Sequence, residues 1–472
     1  MLPTDLDKKR RYDLVMREIH DKPNIILINC DDLGYGDLGC YGSDLNSTPY
    51  IDQLATEGIR FTNFYMASPV CSPSRAAMLT GSYPLRVGIP EVLFPNSPIG
   101  LSPSESTIAS VLRSNGYRTK IIGKWHLGDQ EEFLPTRHGF EQYFGIPYSN
   151  DMGIMRGPRR RFPPLPLVRD ETVIEQQPTQ EELTDRYTCE ATSYIEEHRN
   201  EPFFLYLAHM HVHRPVLVAE RFVEASRNGR YGAAVEAIDW SLGQIMDQLR
   251  ELGLDSHTIL IFTSDNGSIG GSNSPLRGNK NTTWEGGMKL PCIIRWLNQI
   301  RPNSESSSVI TSLDFLPTIA SITGSDLPKG RKIDGRNIDS ILFSQVDEHP
   351  RETFFYYLRS TLCAVRSGKW KLHVVRVEQE GNRTVENHPV SELYDLDKDP
   401  GESTDLSDSF PDVVADLRRR LEECRVDLGD DSRDMVGENC RLPGRVTSPI
   451  TLTNLNESDP VVWAEYDTDE IG

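Results

Sequence analysis

No uninterrupted apolar run in this 472-residue chain approaches the ~18 residues that would span a membrane. The first apolar stretch, Ile25 to Ile28, is far too short. The charged N-terminus also has no apolar signal-peptide core. The expectation from these residues is a chain without an export signal, either cytoplasmic or separated from a native leader. Positive charge is in deficit too. A formal charge of −20 argues against nucleic acid and against nonspecific binding to polyanions. An anionic substrate is still compatible, because a site can be locally positive. Metal or redox pairs of the CxxC type are absent among the eight cysteines, Cys30, Cys40, Cys71, Cys189, Cys292, Cys363, Cys424 and Cys440. Internal repeats are absent as well.

What is present describes a folded protein. Apolar residues at 37% and charged residues at 25% fit a globular chain and exclude a disordered one. The length exceeds the usual limit of one core, so two domains are expected, 1–345 and 346–472. Strands are expected at 24–29, 119–122, 203–208 and 258–263, with helices at 49–58, 74–79, 104–114, 181–199 and 231–252. Pro73 is read as the first helical residue of its segment, and Ser102 or Ser104 as a cap. This alternation indicates an α/β sheet with helices on both faces. Polar motifs follow the C-terminal ends of strands, the edge where open α/β sheets bind ligands. That pattern gathers Asp31, Lys124, His213 and Asp265 at one rim. After residue 345 come short strands and a helix at 411–424, the pattern of a smaller antiparallel α+β domain. From Ser432 the chain is polar and irregular, either a tail packed across the domains or a partly disordered one. Glycosylation sequons occur at Asn46, Asn281, Asn382 and Asn456.

The most specific segment is Cys71-Ser72-Pro73-Ser74-Arg75, followed by Leu79-Thr80-Gly81. It resembles the signature of the type I, formylglycine-dependent sulfatases. In that family the cysteine is oxidised after translation to formylglycine, an aldehyde whose hydrate is the nucleophile. Gly123-Lys124-Trp125-His126-Leu127-Gly128 resembles the second signature of the family. Phe144-Gly145-Ile146-Pro147-Tyr148-Ser149 is similar to a stretch of the arylsulfatase A-like branch, and Glu392 to Glu402 to one common near sulfatase C-termini. The resemblance spans roughly residues 22 to 400. It implies an alkaline phosphatase-like fold, with a large mixed, mostly parallel sheet sandwiched by helices. It also implies relatives that are usually secreted, periplasmic or lysosomal, and a formylglycine-generating enzyme as partner.

Asp31-Asp32 and Asp265-Asn266 are hard oxygen donors suited to Ca²⁺ or Mg²⁺. Adjacent carboxylates repel unless a cation lies between them. The resemblance assigns all four, together with modified Cys71, to one divalent ion, usually calcium. Lys124 and His126, two apart on an extended stretch, face the same way. His209, His211 and His213 recur at period two, a spacing that also suits zinc, although no cysteine lies nearby. The resemblance makes Arg75, Lys124, His126, His213 and Lys280 catalytic, and puts Ser149 and His211 on the substrate side. Asn279 replaces the usual glycine before Lys280, and Lys289 is read as structural. The basic run 156–161 is either a solvated loop or a rim for sulfated polymers.

The implied reaction is in-line attack on sulfur by a hydroxyl of the aldehyde hydrate. His213 protonates the departing alcohol, and His126 then accepts a proton from the second hydroxyl as sulfate is expelled. The substrate class is a sulfated small molecule or glycan. Two other readings stand beside it: a phosphate or phosphonate ester hydrolase on the same scaffold, and an inactive sulfated-glycan-binding protein.

Overall fold

The computed structural model describes residues 22–155, 162–344, 351–380 and 383–455. The basic run 156–161, the boundary at 345–346 and the sequons at Asn382 and Asn456 lie outside the described residues. An 11-stranded mixed sheet forms the centre. Its middle is parallel: Thr258–Ser264, Asn24–Cys30, Phe203–Ala208, Arg118–Gly123 and Gln142–Gly145 lie side by side. Lys289–Arg295 joins antiparallel and carries Ile59–Tyr65 beyond it. The β-branched, apolar strand Asn24–Cys30 is buried throughout, as a strand covered on both faces must be. Ile25 and Leu27 enter the core on one face, and Ile26 and Ile28 the core on the other.

Register decides which residues share the rim. Cys30 pairs with Ser264, Asn29 with Ala208, and Gly123 with Ala208. The residues that follow, Asp31, Asp265, His209 and Lys124, therefore emerge together. Gly123 is required at this edge, because its φ is +103° and a Cβ there would lie 1.9 Å from the Ala208 carbonyl oxygen.

Helices differ from expectation at their starts. The Cys71–Thr80 helix begins two residues before Pro73, which sits in the first turn, where an amide proton is not needed. Gly81 ends it at φ +62°. The next helix is Ile108–Ser114, capped by Thr107 in a capping box with Ser110, and neither Ser102 nor Ser104 caps it. Leu183–Glu197 and Gly229–Glu251 fall close to their expected spans.

A second sheet, Thr353–Leu358, Thr361–Ser367, Trp370–Glu380 and Arg383–Asp395, is antiparallel throughout. The helix Pro411–Leu428 packs on it. Phe354, Tyr356 and Leu421 share one apolar cluster with Tyr65, Ala77, Tyr83 and Met288, so the two sheets have a core in common. The described residues that follow, to 455, return to the large sheet's side. Gly444–Arg445 pairs with Ile99–Gly100, and Arg441 donates to Glu105 at 2.7 Å. All eight cysteines are free. The sequon residue Asn46 is buried and donates to the Asp37 carbonyl at 2.9 Å, so it presents no glycan acceptor. No helix among the described residues is long and apolar enough to cross a membrane.

Candidate active site

Every sequence-predicted residue except His126 and His211 joins one buried network through its side chain. Cys71 opens its helix with Sγ 3.6 Å from Asp31 Oδ1. Arg75, one turn on and fully buried, donates through Nε to Asp265 Oδ2 at 2.8 Å and through a terminal nitrogen to the Lys124 carbonyl at 2.8 Å. Lys124 pairs with Asp31 and reaches Ser149 Oγ at 3.2 Å. Lys280 lies 2.7 Å from Asp32 Oδ1 and 2.9 Å from Oδ2. Asn266 donates to Asp32 at 2.6 Å, and the Asp32 amide lies 3.3 Å from Asp265 Oδ1. Potential ligand atoms of Asp31, Cys71 and Asp265 lie within 4.8 Å of one another, as do those of Asp32, Cys71 and His213.

His213 Nε2 is 3.9 Å from Asp32, and its Nδ1 lies 3.1 Å from Asn150 Oδ1 and 2.6 Å from the Arg214 carbonyl. Two carbonyl-type acceptors at Nδ1 place the proton there. His126 shows the opposite pattern. Its Nε2 faces the Leu93 carbonyl at 3.0 Å, which puts the proton on Nε2 and leaves Nδ1, buried and unpartnered, as a bare acceptor. His211 is tied in by main chain: the Asp31 amide donates to its carbonyl at 2.9 Å, and neither ring nitrogen makes a hydrogen bond. Lys289 stands apart, over the Tyr35 ring.

The charges are closely balanced. Burial opposes ionisation of Asp31, but Lys124, His213, Arg75 and Lys280 together hold its carboxyl below the usual range. Burial, reinforced by Asp31, pushes Asp265 up to about 7. Burial pushes the Cys71 thiol up to about 12, despite Lys124 and Lys280, so the unmodified side chain is a poor nucleophile. Burial, then Lys124 and Arg75, holds His126 well below its ordinary value.

A hard cation fits these donors. Asn266 Oδ1 is buried without a hydrogen-bond partner beside three carboxylates, and a buried unpaired oxygen is costly unless a ligand takes it. Asp31, Asp32, Asp265 and Asn266 would hold the ion. Sequence reading missed Asn150, which orients His213. It also missed Ser264, which accepts from the Leu33 amide at 2.9 Å. Asn150 directly follows Ser149 in a motif already singled out, and that adjacency was its only signal.

Known proteins share this architecture. The family profile Sulfatase matches residues 23–325, and the profile for the C-terminal region of aryl-sulfatase matches 349–442. The chain is 38% identical over 445 residues to arylsulfatase A of Homo sapiens, covering 86% of this chain and 87% of that one. It is 33% identical over 491 residues to steryl-sulfatase of Mus musculus, covering 82% and 78%. The crystal structure of Ps i-CgsB in complex with k-i-k-neocarrahexaose superposes with a TM-score of 0.76 at 29% identity, over 85% of this chain and 92% of that one. The phosphonate monoester hydrolase of Agrobacterium radiobacter is alike in fold alone, with a TM-score of 0.63 at 19% identity over 86% and 95%. The fold is thus the alkaline phosphatase-like one of sulfatases, and the chain belongs to the sulfatase family, in its arylsulfatase A-like branch, as a sulfatase enzyme.

Proposed function

We propose that this sulfatase cleaves sulfate monoesters, aryl or carbohydrate, with an aldehyde made from Cys71 and a calcium ion held by Asp31, Asp32, Asp265 and Asn266. One observation carries the reading: Cys71, three carboxylates and three cationic side chains meet in a single buried cluster in which Asn266 Oδ1 has no protein partner. The three cations already match the three carboxylates, so a divalent ion makes the site net positive and receptive to an anionic ester. When bound, the ion polarises a sulfate oxygen and lowers the pKa of the attacking hydroxyl, which the hydrated aldehyde supplies.

The chain's own residues do the rest. Lys124 and Lys280 bind the equatorial sulfate oxygens, and Ser149 adds a donor. Arg75 holds Asp265 and stabilises negative charge on the residue-71 oxygen. His213 protonates the departing alcohol from Nε2. That Nε2 proton exists only in the imidazolium, beside Nδ1–H; Asp32, 3.9 Å away, favours this form, while burial and then Lys280 oppose it and hold the pKa down. His126, neutral and bare at Nδ1, accepts a proton when sulfate leaves. His211 lines the wall behind Asp31. In this reading the smaller domain begins near residue 346, and a formylglycine-generating enzyme acts on Cys71.

The test compares hydrolysis of an aryl sulfate and an aryl phosphate by protein from the native host, with peptide mass spectrometry on residue 71. Faster sulfate release from aldehyde-bearing enzyme, abolished by chelation, is expected. Faster phosphate release would make it a phosphate ester hydrolase. A thiol at residue 71 with sulfated-glycan binding and no turnover would make it a binding protein.

A further inference from the structure

The loop that delivers Lys280 is held from the C-terminal sheet by a second buried charge cluster. Glu402 is fully buried. Its Oε1 accepts from Lys371 at 2.9 Å and from His373 at 2.8 Å, and its Oε2 accepts the Glu285 amide at 2.7 Å. The Glu402 carbonyl accepts from the Arg277 guanidinium at 2.9 Å. Lys371 donates to the Thr283 carbonyl at 2.8 Å and to Glu285 Oε1 at 2.9 Å. The Arg277 guanidinium stacks 3.8 Å over the Trp284 ring, whose other contacts include the His373 ring at 4.4 Å. Residues 277–285 are thus gripped at Arg277, Thr283, Trp284 and Glu285 by groups from the far domain. At the loop's middle, the Asn281 amide donates to the Pro69 carbonyl at 3.0 Å, just before Cys71, and Lys280 reaches Asp32.

We propose that Glu402 is a positioning residue for the sulfatase reaction: it fixes the 277–285 loop so that Lys280 meets the sulfate group. The inference rests on the assignment of Lys280 above. The geometry favours it over a purely structural role. Two of the contacts end on main-chain groups of the loop, the Glu285 amide and the Thr283 carbonyl, so the cluster sets the loop's path and not merely its burial. A displacement of about 1 Å at a binding group is enough to slow an enzyme ~100-fold.

The test is a cycle of Glu402→Ala, Lys280→Ala and the double variant in the aldehyde-bearing enzyme. It is read as kcat and KM on an aryl sulfate, and as the inhibition constant of inorganic sulfate. Near-UV circular dichroism verifies folding. Glu402→Ala is expected to lower kcat/KM by roughly 10–100-fold and to weaken sulfate inhibition. Adding it to Lys280→Ala should cost less than about threefold more, because both changes remove one interaction. Glu402→Gln should restore part of the loss. Arg277→Ala, an exposed and milder change, should raise KM and weaken sulfate inhibition in a protein that still folds. Losses that multiply in the double variant, or full sulfate inhibition in both Glu402→Ala and Arg277→Ala, would overturn the inference alone. Unchanged kinetics in Lys280→Ala would overturn the assignment of Lys280 itself, and the inference with it.

Discussion

At Glu285, Lys371 and Glu402 each charged atom has a partner within the protein. Both Glu285 oxygens are bonded, by Lys371, Tyr356 and Tyr65, and both Glu402 oxygens by Lys371, His373 and the Glu285 amide. At the strand-end rim the same residue types are left incomplete. Asn266 Oδ1 and His126 Nδ1 have no hydrogen-bond partner, and Asp265 is held up near 7 by burial and by Asp31. Burial is equally deep in both places. In a low-dielectric interior an unpaired polar atom is destabilising, so an unpaired oxygen beside three carboxylates is where a cation would complete the network, whereas the Glu285–Lys371–Glu402 cluster is complete without one.

The sharpest break between the two clusters is Cys71→Ser. It should lower turnover by at least about 10⁴-fold while leaving the unfolding midpoint nearly unchanged. Repeated turnovers by this variant would contradict the scheme. Lys371→Met is the converse. It strands two carboxylates in the closed cluster, and denaturant unfolding should show a loss of about 3–5 kcal/mol. Asn266→Ala should reduce calcium affinity by about 10–100-fold in a calorimetric titration. In chelator it should cost only about 1 kcal/mol of stability, for the bond to Asp32.

Their pH responses should be opposite in sign. Burial opposes ionisation of Glu285, but Lys371 and Arg366 outweigh it and lower the carboxyl from 4.5 to about 2. Its contribution is present above 4.5 and is lost as pH falls through about 2. Asp265 is raised from 3.8 to about 7, so the folded state binds the extra proton between these values. Chelated protein should therefore gain stability as pH falls from about 7 toward 3.8, and added calcium should remove that gain. A calcium-independent pH profile across this range would blur the distinction. The smallest effect is expected at the exposed Arg60–Glu305 pair, where Glu305→Gln should change stability by less than about 1 kcal/mol.

Much of the rim was legible in the chain because strand period and strand-end polarity are local signals. Asp31, Lys124 and Asp265 follow apolar runs whose parallel register the alternation of elements implies. Helix starts were less legible. Several serines precede 108, and only the folded backbone selects Thr107 as the cap. The buried cluster was not legible at all. Glu402 ends a stretch similar to one near sulfatase C-termini, but nothing in that stretch tells that it meets Glu285 across 117 residues. Asn46 shows the same limit, since its sequon gives no hint that the side chain is turned inward to Asp37.

The most direct check of the aldehyde mechanism prepares the enzyme at several degrees of residue-71 oxidation, each quantified by peptide mass spectrometry, and measures sulfate release from an aryl sulfate for every preparation. Specific activity should rise in proportion to the aldehyde fraction and extrapolate to zero for the pure thiol. Full activity in a preparation that carries only Cys71 thiol would contradict the account.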